Sequence, residues 1–425
     1  MLGAAYFVAV NRPDGPLGTA RATYTDALAA WREKRLDDAG RQRAEDAYLA
    51  AVAAAREQAL RDLGQDFLGP IVQKWVHKDM PLYFLPVRTS DARGGANDRG
   101  RALELAWDRH LRRPDGAPLL GVPLVGLREE ERAGAVPSLV FTPMLIEDGR
   151  QLVVSNLDLD YLVDTVLDRN VTPEEAAARA EQVGRPSHPS VEFFRMFPGA
   201  AGFTLGTAVR MSASFPYFSP AAALPTTPAR HLVDAGYYDN YGTFAATRWV
   251  MEQARWLNVA RGPGRPPWRA EFQNPDVYPE VVLLQVRCFA FEQDTRRYVR
   301  KEEEDGVRPR RFLDLTAPAH GLLAVRRAQM IFRGDERVDG TRSVLARRED
   351  VGSADALVRL RRVLVECRVD PSLNWVLTAD TRRRLRADVY HQLEGGAAAP
   401  PDLAGFLEAL RDLRRAEGLP PRPAP

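Results

Sequence analysis

The sequence predicts an α/β domain in which helices cover a sheet. Three observations point there. Apolar, β-branched runs alternate along the chain with stretches of three- and four-residue apolar spacing. One β-hairpin signal, "SLVFTPMLIEDGRQLVVSNL", is unusually clear. A chain of 425 residues that is 45% hydrophobic can bury a large core. The formal net charge is +2, so an uncompensated basic face for nucleic acid is not expected. Arg greatly outnumbers Lys, and Ala and Pro are plentiful, which reads as a GC-rich bacterial genome.

The opening "MLGAAYFVAV" is apolar, and its small residues Gly3, Ala4 and Ala5 would let a helix approach another backbone closely. From Thr23 to Leu63 the Ala-, Arg-, Glu- and Leu-rich composition and the pairs Leu28/Trp31, Tyr48/Val52 and Leu60/Leu63 predict amphipathic helix, with a break at Gly40. "DFLGPIVQKWVHKDMPLYFLP" reads as a packed helix with a rim of Lys74 and Lys78, or as a segment lying on lipid. The glycines of "RTSDARGGANDRG" form a polar loop and not a phosphate cradle.

In the hairpin, Asp148-Gly149 suits the tight turn between two strands. Thr172-Pro173 starts a capped helix through Ala180, and another helix runs from Thr204 to Ser212. "HLVDAG" is a short strand ending in a turn, and "NYGTFAATRWVMEQARWL" returns to helical spacing. "YPEVVLLQVRCFAF" reads as a buried strand holding Cys288 as a buried thiol. Helices are expected at "HGLLAVRRAQMIF", in "ADALVRLRRVLVE" (part of it a strand) and in "PPDLAGFLEALRDLRRAEG" near the end. The two cysteines, Cys288 and Cys367, make no metal-spaced pair or disulfide framework. No apolar run reaches the ~18 residues that span a bilayer, and no basic stretch leads into a signal core. Any membrane contact would be peripheral, and the expected location is cytoplasmic or at a membrane surface.

The familiar catalytic patterns are missing. The sequence contains no Gly-x-Ser-x-Gly, no His-Glu-x-x-His, no Walker loop and no Cys-x-x-Cys. The six histidines are scattered, and His231, three residues before Asp234, has no nucleophile beside it in sequence. Asp234 is the better candidate, a carboxylate at a strand end before an Ala-Gly turn, although Asp in that setting is also an ordinary turn former.

Upstream of it, Ser212-Ala213-Ser214-Phe215-Pro216 and Phe218-Ser219-Pro220 precede Asp234-Ala235-Gly236 and Asn240. In that order and spacing the stretch resembles the patatin-like phospholipases. Met211, Ala235 and Gly242 depart from the residues usual in that family. The resemblance covers residues 1–10 and 138–300, and the hairpin at 138–155 is similar to a strand pair of the family. It implies a three-layer sheet flanked by helices over 1–300, with a helical insert at 23–130, and a helical extension over 301–425.

The resemblance also implies an acyl hydrolase acting on phospholipid or other lipid esters through a Ser–Asp dyad, without metal or organic cofactor. Asp234 would be the base, with Gly236, Asn240, Ser214 and Pro216 shaping its surroundings. "MLGAAYF" resembles the helix that follows the family's nucleophile elbow, so the serine and the Gly-rich oxyanion loop are expected ahead of Met1. On that expectation the 425 residues alone carry half an active site, turn over no ester and fold poorly. Ser212, Ser214 and Ser219 lie on no elbow and are poor substitutes. The alternative is a non-catalytic lipid-binding or remnant protein on a degenerate patatin fold.

Overall fold

The computed structural model describes residues 1–81, 99–157, 159, 190–214, 219–260, 280–287, 331–346, 359–367, 369, 378–393, 401–416 and 418–419. They form two compact units, Met1–Tyr238 and Asp239–Pro425. The architecture is a mixture of helix and sheet. Among the described residues no helix is long and apolar enough to cross a membrane. The polar loop at 88–98, the helix expected at 172–180, Cys288 and the boundary expected near residue 300 fall outside the described residues.

The first unit begins with α1 (Leu2–Asn11), α2 (Gly18–Arg32) and α3 (Asp38–Asp62). α1 buries Ala5, Tyr6, Val8, Ala9 and Val10. Gly3 and Ala4 are exposed, and a Cβ on Gly3 would meet nothing within 4 Å. Of the three small residues Ala5 alone is buried, joined by Ala9 one turn further along. Arg12 clamps Glu130 with Nε and Nη2 at 2.9 and 2.7 Å, and the Tyr6 hydroxyl donates to Asp62 at 2.6 Å.

Helix does not run unbroken to Gly40. It stops at residues 33–37, where Lys34 takes a left-handed φ of 59°. It restarts because Asp37 caps α3, accepting the Gly40 N–H at 2.7 Å. The predicted helix after Asp66 is α4 (Gly69–Lys74), continued by a π-helical turn over Trp75–Asp79, with Ile71 buried. α5 (Arg99–His110) and α6 (Leu127–Arg132) follow.

The hairpin forms as expected. β1 (Val140–Phe141) and β2 (Met144–Leu145) pair antiparallel with β3 (Gln151–Ser155) in one unshifted register. They are two pieces of one strand, interrupted at Thr142-Pro143. Proline has no N–H to donate, but its carbonyl still accepts from Leu152 at 2.8 Å. Gly149 supplies the positive φ of 71° at the turn, and Asp148 Oδ1 accepts the Arg150 N–H.

β4 (Ser190–Glu192), parallel to β3, leads into α7 (Phe193–Met196) and then α8 (Leu205–Ser212), which is capped by Thr204. β5 (Ala222–Leu224) pairs antiparallel with β6 (Arg230–Val233), which pairs with β2. The strand order across this sheet is therefore β4-β3-β2-β6-β5, antiparallel except for one pair. All five residues of β3 are buried. Leu145, Leu152, Val154 and Leu232 join α1 and α8 in one apolar core.

The second unit starts with α9 (Thr243–Ala260). Asp239 fixes its start by accepting the N–H groups of Thr243 and Phe244. β7 (Glu280–Arg287) and β8 (Arg359–Glu366) pair parallel along their whole length. A helix at 331–346, here α10, with α11 (Ala379–Leu393) and α12 (Pro401–Ala416), completes this unit.

β7 is not the buried strand expected from its continuous apolar run. Val281 and Leu283 pack with Val250, Ala254 and Leu345 on one face, and Val282 joins Val363, Val365 and Leu403 on the other. Leu284 and Val286 remain 53% and 62% exposed. Among the described residues β8 is its one neighbour, and alternate apolar side chains past its middle have no layer over them.

Candidate functional site

Each element around Asp234 has a local cause. β6 ends where the chain turns into a 3-10 turn over Ala235–Tyr237, and Asp234 caps that turn. Its Oδ1 accepts the Gly236 N–H at 2.7 Å, the Asx geometry that a carboxylate two residues ahead of a free N–H adopts. Its own N–H donates to the Ser214 carbonyl at 3.2 Å. The strand end is thereby tied to the segment leaving α8. Asp234 is half-buried, Ala235 and Gly236 are buried, and buried Ser214 donates its hydroxyl to the Arg210 carbonyl at 2.8 Å.

Arg210 is in turn anchored by Glu104 of α5, whose Oε1 accepts from Arg210 Nε at 2.7 Å. Glu104 is 7% exposed and its Oε2 also accepts from Arg101 Nη1, so a buried carboxylate shared by two arginines ties α5 to α8. A continuous path thus runs from α5 through α8 to the turn: Glu104 holds Arg210, Arg210 holds Ser214, and Ser214 holds Asp234. α1 packs against the same helix α8, as β6 does.

Three of the residues singled out from sequence, Asp234, Gly236 and Ser214, are thus joined by hydrogen bonds. Asn240 is exposed, and Pro216 lies outside the described residues. Ser212 is the fully buried last residue of α8 and Ser219 is 6% exposed; neither hydroxyl has a hydrogen-bond partner among the described residues. Neither occupies a strand-to-helix turn, the setting a nucleophilic serine needs.

His231 does not face Asp234's role from the side, because it is committed elsewhere. Its Nδ1 lies 2.9 Å from Glu147 Oε1, and its backbone N–H donates to the same carboxylate. Partial burial pushes the Glu147 carboxyl up, but the hydrogen bonds from the His231 ring and backbone outweigh it and leave the group below its ordinary range. Asp108 on α5 moves the other way, raised by burial.

Two groupings escaped the sequence reading. Asp239, one residue before the favoured Asn240, is 8% exposed and caps α9; an Asp four residues ahead of Thr243 was the available signal. The Glu147–His231 contact joins residues 84 apart and has no sequence signal. Among the described residues, no group of three or more His, Cys, Asp or Glu could hold a metal ion. No protein-family model, curated protein or solved structure matches the chain.

Proposed function

We propose that the protein is a lipid acyl hydrolase of patatin type in which Asp234 is the general base. The reading rests on the resemblance of residues 212–240 to that family. One structural observation supports it: Asp234 stands at the end of β6, its carboxylate aimed by the Gly236 N–H and its backbone tied to Ser214. In that reading a serine hydroxyl attacks the ester carbonyl while Asp234 accepts its proton. The acyl group passes to serine, the alcohol leaves with the proton from Asp234, and water reverses the sequence to release the acid.

The partner serine is proposed to reside on an elbow joined ahead of α1, because the 425 residues contain no Gly-x-Ser-x-Gly. The substrate class is lipid ester or phospholipid, reached from a peripheral position at a membrane. The test joins the chain to the segment encoded immediately upstream of Met1 and treats it with a fluorophosphonate, which labels activated serines. One labelled serine ahead of Met1, reacting far more slowly in Asp234→Asn, is the expected result. Absence of labelling, or equal rates in both proteins, overturns the reading.

A further inference from the structure

The second unit carries a groove of about 620 Å³ between α9 and α10, within the range of small-molecule sites. Thr247, Arg248, Met251 and Glu252 line it from α9; Arg333, Glu336, Arg337 and Thr341 line it from α10. The spacing on each helix is what one face of a helix presents. Thr247 and Thr341 are buried, at 2% and 9% exposure, and form the floor. Arg333, Glu336 and Arg337 are exposed at the rim.

Two features make this more than a charged surface. First, Arg337 is held in place without an acid. Its guanidinium lies 4.0 Å from the centroid of the Phe244 ring, and the Arg248 guanidinium lies 5.5 Å from the same centroid. Two like charges share one aromatic ring. Second, neither Arg333 nor Arg337 forms an ion pair among the described residues, although Glu336 sits between them in sequence. Arg248, Arg333 and Arg337 line the groove together with Glu252 and Glu336.

We propose that this groove binds a phosphate group, with Arg333 and Arg337 as its principal ligands and the ring of Phe244 as the support that orients Arg337. A planar guanidinium offers paired N–H donors at the spacing of phosphate oxygens, which is why arginine rather than lysine marks such sites. Glu252 and Glu336 at the same groove favour a phosphate borne on a molecule with hydroxyl or amino groups over the bare anion. The inference stands on the second unit alone and does not rest on the hydrolase reading.

The experiment titrates the full chain calorimetrically with inorganic phosphate, glycerol phosphate and vesicles containing phosphatidic acid, all at matched ionic strength. Saturable binding of glycerol phosphate, tighter than inorganic phosphate, assigns the site to a free phosphate monoester. Binding of the vesicles but not the soluble ester assigns it to a lipid headgroup. In either case Arg337→Gln weakens binding by about tenfold or more, the effect of one lost charged hydrogen bond.

Arg361→Gln serves as the control, since Arg361 is a half-buried arginine paired with Glu280 and absent from the groove. It leaves the affinity unchanged. A Phe244→Leu chain with unchanged circular dichroism weakens binding through loss of the support alone. No saturable binding by any probe, or equal losses in Arg337→Gln and Arg361→Gln, overturns the proposal.

Discussion

The sheets of the two units are held by different forces. In the first unit β3 is flanked on both edges, all five of its residues are buried, and Leu152 and Val154 sit at 0% exposure in a single apolar core. In the second unit the described sheet is two strands, with small apolar clusters on each face and Leu284 and Val286 exposed. Those strands meet α10 through Leu345, which packs with Leu360, Val281 and Leu283, and through charge. Asp335 accepts from both Arg287 and Arg362, and Arg287 also meets Glu366 at 3.3 Å. Apolar burial tolerates changes of detail at its edges, whereas a buried ionic knot fails when one member is removed.

Substitutions can break that contrast. Leu152→Ala should cost about 3–4 kcal/mol in denaturant unfolding, because it leaves a cavity in a site that cannot collapse. Leu284→Ala, at an exposed position of β7, should stay within about 0.5 kcal/mol. Equal costs would erase the distinction between the sheets. Asp335→Ala should cost about 2 kcal/mol, since it removes the acceptor shared by Arg287 and Arg362 and leaves Arg287, whose side chain is 4% exposed, with Glu366 at 3.3 Å. A neutral outcome would show that the knot contributes nothing. Asp37→Ala should lower stability by about 1 kcal/mol through loss of the α3 cap, read by thermal melting with helical circular dichroism.

The smallest effect is acid-linked. Glu147 is held below its ordinary range in the folded chain, so its contribution is complete above the unfolded pKa, about 4.3. That contribution is lost as pH falls through the lower folded value. Glu147→Gln should therefore flatten part of the melting-temperature decline below pH 4.5 and leave its shape near pH 7 unchanged. An unaltered acid limb would mean the His231 contact does not form in solution.

How much of this was legible depends on whether a signal is local. The hairpin was readable because Asp148-Gly149 and the β-branched runs on each side encode turn and strands within sixteen residues. α8 was readable from Thr204, which accepts the Thr207 N–H as a cap should. The break at residues 33–37 was not, because a lysine at positive φ carries no compositional mark. α11 was missed because its Arg-rich "ADTRRRLRADVYHQL" buries only Gln392 and so shows no apolar stripe. The exposure of β7 depends on which strands neighbour it, and the arginines of the groove lie on helices far apart in sequence.

At the candidate site, Asp234 and its turn were local and readable. Its tie to Ser214 follows from an order of motifs, and the Glu104–Arg210 anchor behind it, 106 residues apart, was not encoded in any local pattern. The most direct test of the hydrolase reading is the turnover of a short-chain chromogenic ester by the chain joined to its upstream-encoded segment, with and without Asp234→Asn. The reading predicts a rate loss of at least about 100-fold, the usual worth of a general base. An unchanged rate in the Asn variant would contradict it.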